Sequence, residues 1–196
     1  MKNLNRILAG FAVAGGLSLV TTLPTSAQAE GRIGLEASVG YHILGGDDFD
    51  AFDNAIGFEA LGSYAFDSGL ELGIGTGITS HDLDGTFANS GDIVSVFADG
   101  RYRFQYPAPR TPHLHPFLAA RVGWSRMSLD DEDDGDDPSA SGLLVGAGGG
   151  VEYWFTDAVA VVGAGTFDFL DYGDSDELPD FSGNRVDLRG GLKVRF

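Results

Sequence analysis

The densest chemistry in the sequence is a run of carboxylates, DDEDDGDDPSASG, beginning at Asp130. Asp130, Glu132, Asp134 and Gly135 echo the first half of a calcium-binding loop, where alternate oxygen ligands and a sharply turning glycine wrap a hard cation. The twelfth position of that pattern requires a bidentate glutamate and holds Ser141 instead, and no helical pattern flanks the run. A solvated acidic loop with weak, non-specific affinity for divalent cations is expected, and the shorter DLDG at 82–85 is a fainter version of it. A nucleophile and base are also available in principle. His42 with Ser80 or Ser125 and an acid would supply the groups for acyl transfer, but no spacing demands that they meet. His81, His113 and His115 read as ordinary loop or filler residues. The GAGGG at 146–150 lacks the Lys-Ser/Thr ending of a phosphate loop and is not followed by a helix. Within a strand, such glycines mark tight curvature or a bulge. The residues therefore point to no catalytic, cofactor or metal site, and to a protein that is not an enzyme.

The elements that would carry these residues begin after residue 29. MKNLNR supplies Lys2 and Arg6, an apolar run ILAGFAVAGGLSLV follows, and TTLPTSAQA ends on Ala27-Gln28-Ala29. That order is a secretory signal peptide, so 1–29 is expected to be removed and 30–196 to form one domain. The chain has no cysteine, which argues against a disulfide-stapled exported fold. No apolar stretch beyond residue 29 is long enough for a membrane-spanning helix. A closed β-barrel is the one remaining way to cross a bilayer.

The rest of the sequence is a series of eight short alternating runs: IGLEASVGYHI, AIGFEALGSYAF, GLELGIGTGI, IVSVFADGRYRF, HPFLAARVGWSRM, GLLVGAGGGVEYWF, AVAVVGAGTFDF and RVDLRGGLKVRF. Each has one apolar and one polar or glycine-rich parity, the mark of half-buried strands. Connectors alternate in length. FDSG, the Pro-rich QYPAPRTPHL and TD fall at one end. LGGDDFDAFD, SHDLDGTFANSG, LDDEDDGDDPSAS and DYGDSDELPDFSGN fall at the other. Short turns on one rim and long loops on the other are the layout of an outer-membrane barrel.

Charge follows the same division. The four long connectors, taken with Asp92 next to the second, hold 19 acids and no Lys or Arg, whereas the remainder of 30–196 holds 10 acids and 10 bases. So large an acidic excess disfavours nucleic acid as a partner. Eight strands enclose an interior that side chains just fill, and charges there need partners. Glu36, Glu59, Glu71 and Glu152 are expected to meet Arg101, Arg121, Arg189 and Lys193 in a plugged interior, with inward glycines making room. Alternation is equally compatible with a soluble barrel of opposite polarity. Aromatics favour the membrane form, because they lie on the apolar parity near strand ends, Tyr64, Tyr102 and Tyr153 among them, with Phe66, Phe104, Phe155 and Phe196 at the short-turn end and Tyr41, Trp124, Phe167 and Phe169 toward the other. Phe97 and Trp154, on the inward parity, read as packing residues. Arg126, on the outward parity near the long-loop end, is placed to meet lipid phosphates or to snorkel into a loop.

Taken with the signal peptide, the phrases FADGRYRF, PFLAARVGWSRM and the terminal LKVRF resemble the small outer-membrane β-barrels of Gram-negative bacteria, the opacity-type and outer-membrane-protein-A-like group. The resemblance implies an all-β, eight-stranded, antiparallel up-and-down transmembrane barrel in the outer membrane with periplasmic termini. It further implies that Leu188, Leu192, Val194 and Phe196 form the signal read by the barrel assembly machinery, Gly190 being a weak position within it. The partners expected are outer-membrane lipids and lipopolysaccharide, and no extracellular ligand is named by the loops. A structural or surface-interaction role is expected. A small porin-like channel and, further off, a lipid A-modifying hydrolase are the alternatives. The acidic loops fit either divalent-cation bridging or a saline habitat, where salt screens like charges.

Overall fold

A computed structural model describes residues 31–46, 49–83, 90–104, 113–130, 138–173 and 181–196. Several features expected from the sequence lie outside these residues: the signal peptide, most of the Pro-rich connector, and the acidic run after Asp130. The chain forms eight antiparallel strands: β1 (Gly31–Gly45), β2 (Ala55–Phe66), β3 (Leu70–Asp82), β4 (Ser90–Arg103), β5 (Leu114–Asp130), β6 (Ser139–Trp154), β7 (Val159–Tyr172) and β8 (Phe181–Arg195). Each strand pairs with its neighbours in sequence, and β8 closes on β1 with Gly34 opposite Arg195 and Gly45 opposite Asn184. A closed ladder leaves no edge and satisfies the backbone of every strand, the condition for a sheet to exist in lipid.

Two of the short turns are ordered by identifiable groups. Between β2 and β3, Gly69 adopts φ +88° and its N–H donates to Phe66 O at 3.2 Å. Between β6 and β7, the Thr156 hydroxyl accepts from the N–H groups of Ala158 and Val159 at 3.2 and 3.0 Å. Just above these turns, three of the downward strands end in the same Tyr-x-Phe pair. Tyr64–Phe66, Tyr102–Phe104 and Tyr153–Phe155 each meet edge to face, at 4.9, 5.5 and 5.1 Å between centroids. These rings and Phe196 are exposed on the outer wall. They form the lower of the two aromatic belts anticipated from parity.

The outer wall is apolar over most of its height, with Ile33, Ile56, Phe58, Ile74, Val96, Leu118, Trp124, Phe167 and Leu192 among its exposed side chains. An apolar residue gains nothing by facing water, and this band matches a lipid-facing surface. The strands are longer than the alternating runs that announced them, and the added residues lie almost wholly at the long-loop end: 79–82 in β3, 90–92 in β4, 128–130 in β5, 139–141 in β6, 170–172 in β7 and 181–184 in β8. Asp82, Asp92, Asp130 and Asp171 therefore stand on strands and not in loops. A strand of 15 residues such as β1, tilted by about 40° and rising about 3.3 Å per residue, climbs roughly 38 Å. A lipid-facing band is about 25 Å tall, so the upper ends project beyond it.

In the projecting part the polarity of the wall reverses. Outward positions are Ser80, Asp82, Arg126, Asp171 and Ser182, all exposed. Inward positions are Leu44, Ile93, Met127, Ala140, Leu170 and Tyr172, all buried. A turn at Gly46, with φ +113°, sends the chain back over the mouth and seats Phe49, 1% exposed, on this apolar cluster. Phe49 packs against Phe52 at 5.5 Å and Tyr172 at 6.3 Å between centroids.

Of the two alternatives expected for the glycine run, tight curvature or a bulge, the bulge is corrected. The 146–150 run carries no bulge, because its register against both β5 and β7 is unbroken. The glycines make space instead. A Cβ at Gly146 would collide with the Asp168 carboxylate, which is itself held by an arginine in the barrel interior.

Candidate functional site

Below the apolar cap, the interior is filled by ion pairs in two groups. The group nearer the middle centres on Arg121 of β5. Its Nε donates to Asp168 Oδ1 at 2.7 Å, its Nη1 to Glu59 at 2.9 Å, and its Nη2 to Thr166 Oγ1 at 2.7 Å and to the second Asp168 oxygen. Arg185 binds the same Asp168 through Nε and Nη2, at 3.1 and 2.9 Å. Arg189 donates to Asp187 at 2.8 Å and approaches Glu59 at 3.4 Å. Three arginines thus face three acids drawn from β2, β7 and β8.

The group nearer the short turns is built the same way. Arg101 binds both oxygens of Glu36, at 2.6 and 3.2 Å, and Asp99 at 2.8 Å. Lys193 bridges Glu71 at 2.5 Å and Glu152 at 2.7 Å. Arg103 reaches the same two acids, pairing with Glu71 and lying 3.2 Å from Glu152, and Arg195 comes within 3.9 Å of Glu71. Four bases face four acids here, so each group is neutral by itself.

Parity explains how distant residues arrive together. Positions two apart on a strand face the same side, and barrel closure then brings inward residues of opposite strands within reach. Arg101 on β4 and Glu36 on β1 are an example. Three cations also lie over aromatic faces: Arg101 over Phe117 at 5.0 Å, Arg121 over Phe97 at 5.1 Å, and Arg195 over Trp154 at 4.1 Å. Trp154 is fixed in turn by donating from Nε1 to Glu152 at 3.1 Å. Such stacking adds to the ion pairs because both partners are desolvated. Phe97 and Trp154 are therefore more than filler.

All eight charged residues selected from the sequence stand inside the barrel and are buried. Asp99, Asp168, Asp187, Arg103, Arg185 and Arg195 complete the two groups, and each shares the inward parity that marked the others. The apolar tier had no such mark. Ile93, Met127 and Leu170 belong to it, and they sit among the Ser, Asp and Thr residues that end each alternating run. Leu188, Leu192 and Phe196 are exposed on the outer wall of β8, and Val194 is half-buried there.

The two serines considered for catalysis are placed differently. Ser80 is exposed on the outer wall while His42 is buried inside. Ser125 is engaged with Ser95 at 3.2 Å and Tyr172 at 2.9 Å, and His42 lies 3.8 Å from Asp187. His81 Nδ1 donates to the Asp53 carbonyl at 2.7 Å, and its Nε2 accepts from the Thr79 hydroxyl at 3.2 Å. It thereby ties the segment carrying Phe49 to the barrel wall. Arg126, exposed on the outer wall, donates to Ser139 Oγ at 3.0 Å.

Comparison with known proteins gives a consistent picture. Residues 11–195 match the family described as the outer membrane protein beta-barrel domain. No curated protein matches the chain. Among solved structures, it is similar to Neisserial surface protein A, with 17% identity over 87% of this chain and 100% of that one and a TM-score of 0.61. It is also similar to Ail, the attachment invasion locus protein of Yersinia pestis, crystallised with the heparin analogue sucrose octasulfate. There the identity is 15% over 86% and 100% of the two chains, with a TM-score of 0.57. OprG of Pseudomonas aeruginosa shares 11% identity over 86% and 96%, with a TM-score of 0.52. At these identities the likeness is one of fold.

Proposed function

The chain belongs to the outer membrane protein β-barrel family, and on that premise we propose that it is a non-conducting integral protein of the outer membrane with a structural or surface-interaction role. It is exported by residues 1–29, inserted with both termini in the periplasm, and recognised by the barrel assembly machinery through Leu188, Leu192, Val194 and Phe196. The observation that carries the reading is the filled interior: two neutral ionic groups below and an apolar cap above leave side chains across the whole bore. A porin needs a polar, water-filled lumen, and Phe49 with Leu170 and Tyr172 closes this one.

The surface role follows from where the charge lies. Ail was crystallised with a sulfated polyanion. In this chain the four outer connectors, counted with Asp82, Asp92, Asp130 and Asp171 on the strand ends beside them, carry 19 acids, a composition that repels polyanions and suits cationic partners. Divalent cations bridging the loops to neighbouring lipopolysaccharide are the simplest such partner. Planar-bilayer recording of the refolded protein tests the core of the reading. The expected result is a silent bilayer, and stable ion-selective steps would refute it. Deleting Asp130–Asp137 tests the bridge, which requires that calcium stabilise the intact protein more than the deletion variant.

A further inference from the structure

The barrel mouth at the short-turn end differs from the acidic opposite rim. A cavity of about 230 Å³ opens there, lined by Arg32, Arg103, His113, His115, Trp154, Thr156, Asp157 and Arg195. Three of these residues are arginines and one is an acid, in a protein whose formal net charge is −17. We propose that this cavity is a phosphate-binding site, with Arg32 and Arg195 as its principal ligands.

The argument begins with donors. Arg103 is engaged behind the cavity by Glu71 and Glu152. Among the described residues Arg195 has only the 3.9 Å approach of its Nη2 to Glu71, and its Nε and Nη2, like those of Arg103, are buried without a hydrogen-bond partner. No acid among the described residues pairs with Arg32. A buried guanidinium N–H lacking an acceptor is unfavourable, and an oxyanion supplies acceptors with charge. Geometry then favours phosphate. The Arg195 guanidinium carbon lies over the Trp154 ring, 4.1 Å from its centroid. Trp154 donates to Glu152, which holds the ring beneath Arg195 before any ligand arrives. Arginine forks match the tetrahedral oxygens of phosphate from several sides at once. His113, His115 and the Thr156 hydroxyl add further hydrogen-bonding groups around the same cavity.

The phosphate group can be borne by a small soluble molecule or by a phospholipid headgroup of the adjoining leaflet, and the site has the same chemistry for both. It is independent of whether the barrel conducts.

The protein provides its own reporter. It has two tryptophans, and Trp124 lies on the outer wall. A Trp124→Phe variant, refolded in zwitterionic detergent, leaves Trp154 as the sole indole, beside the cavity. Titration with inorganic phosphate and with glycerol 3-phosphate is expected to change its emission saturably, at phosphate concentrations where chloride of equal ionic strength does not. Arg32→Gln and Arg195→Gln should each weaken that binding about tenfold, with heat-modifiable migration showing that each variant is folded. A response to vesicles containing phosphatidylglycerol, absent with free phosphates and weakened by the same substitutions, assigns the site to a lipid headgroup. The proposal fails if Trp154 responds to none of these probes, if chloride reproduces the change, or if both folded variants bind as tightly as the parent.

Discussion

The lower and upper halves of this barrel follow opposite rules. In the lower half the wall is apolar outside and ionic inside, as with Ile74 outside and Glu71 within. In the upper half it is polar outside and apolar inside, as with Asp171 outside and Leu170 and Tyr172 within. The backbone ladder runs through both without interruption. The same alternation therefore serves two solvents, lipid below and water above, and the reversal marks the boundary between them. The interiors differ as well. Ion pairs are costly to bury and are stable only when complete, whereas apolar side chains contribute by area and shape. The lower half should be intolerant of losing any one charge. The upper half should respond in proportion to the volume removed.

The largest expected effect comes from Arg121→Ala, which leaves the three acids Asp168, Glu59 and Asp187 to only two bases, Arg185 and Arg189. A loss of about 3–5 kcal/mol is expected, measured by urea unfolding of the refolded protein in detergent micelles. A loss below about 1 kcal/mol would mean that the lower half tolerates unpaired charge and that the contrast is false. In the upper half, Leu170→Ala is expected to cost about 3 kcal/mol by opening a cavity, and Leu170→Met, which keeps the volume, less than about 1.5 kcal/mol. Equal losses from both would show that packing does not govern the cap. On the outer wall, Ile74→Arg should cost about 2–4 kcal/mol if it faces the bilayer, while Asp82→Arg, eight residues further along the same strand, should change stability by less than about 0.5 kcal/mol. A smaller loss than that of Leu170→Ala, about 1 kcal/mol, is expected from Tyr172→Phe, through the lost bond to Ser125.

Much of the lower half was legible in the sequence, because lipid imposes a strict apolar parity and the inward charges stand out against it. Glu36, Glu59, Glu71 and Glu152 could be selected for that reason, although their partners depend on which strands closure brings face to face. The upper half was hidden by its own reversal. Ser139, Ala140 and Ser141 read as loop because small polar residues are typical of both loops and a water-facing wall, and Phe49 stood among aspartates with nothing to show that Gly46 would turn it inward. The two polarities weighed from the alternation, a membrane barrel and a water-soluble one, each describe one half of the molecule. The cationic mouth was also illegible, since Arg32, Trp154 and Arg195 come from three different strands and meet only when β8 closes on β1.

The boundary between the halves is the central claim, and a depth scan along β3 tests it most directly. The protein has no cysteine, so single cysteines at Leu72, Ile74, Ile78, Ser80 and Asp82 can each carry a nitroxide in protein reconstituted into phospholipid vesicles. The expected result is high accessibility to oxygen from Leu72 through Ile78, switching to high accessibility to a water-soluble nickel chelate at Ser80 and Asp82. Lipid-like accessibility at Asp82, or water-like accessibility at Ile74, would contradict the account.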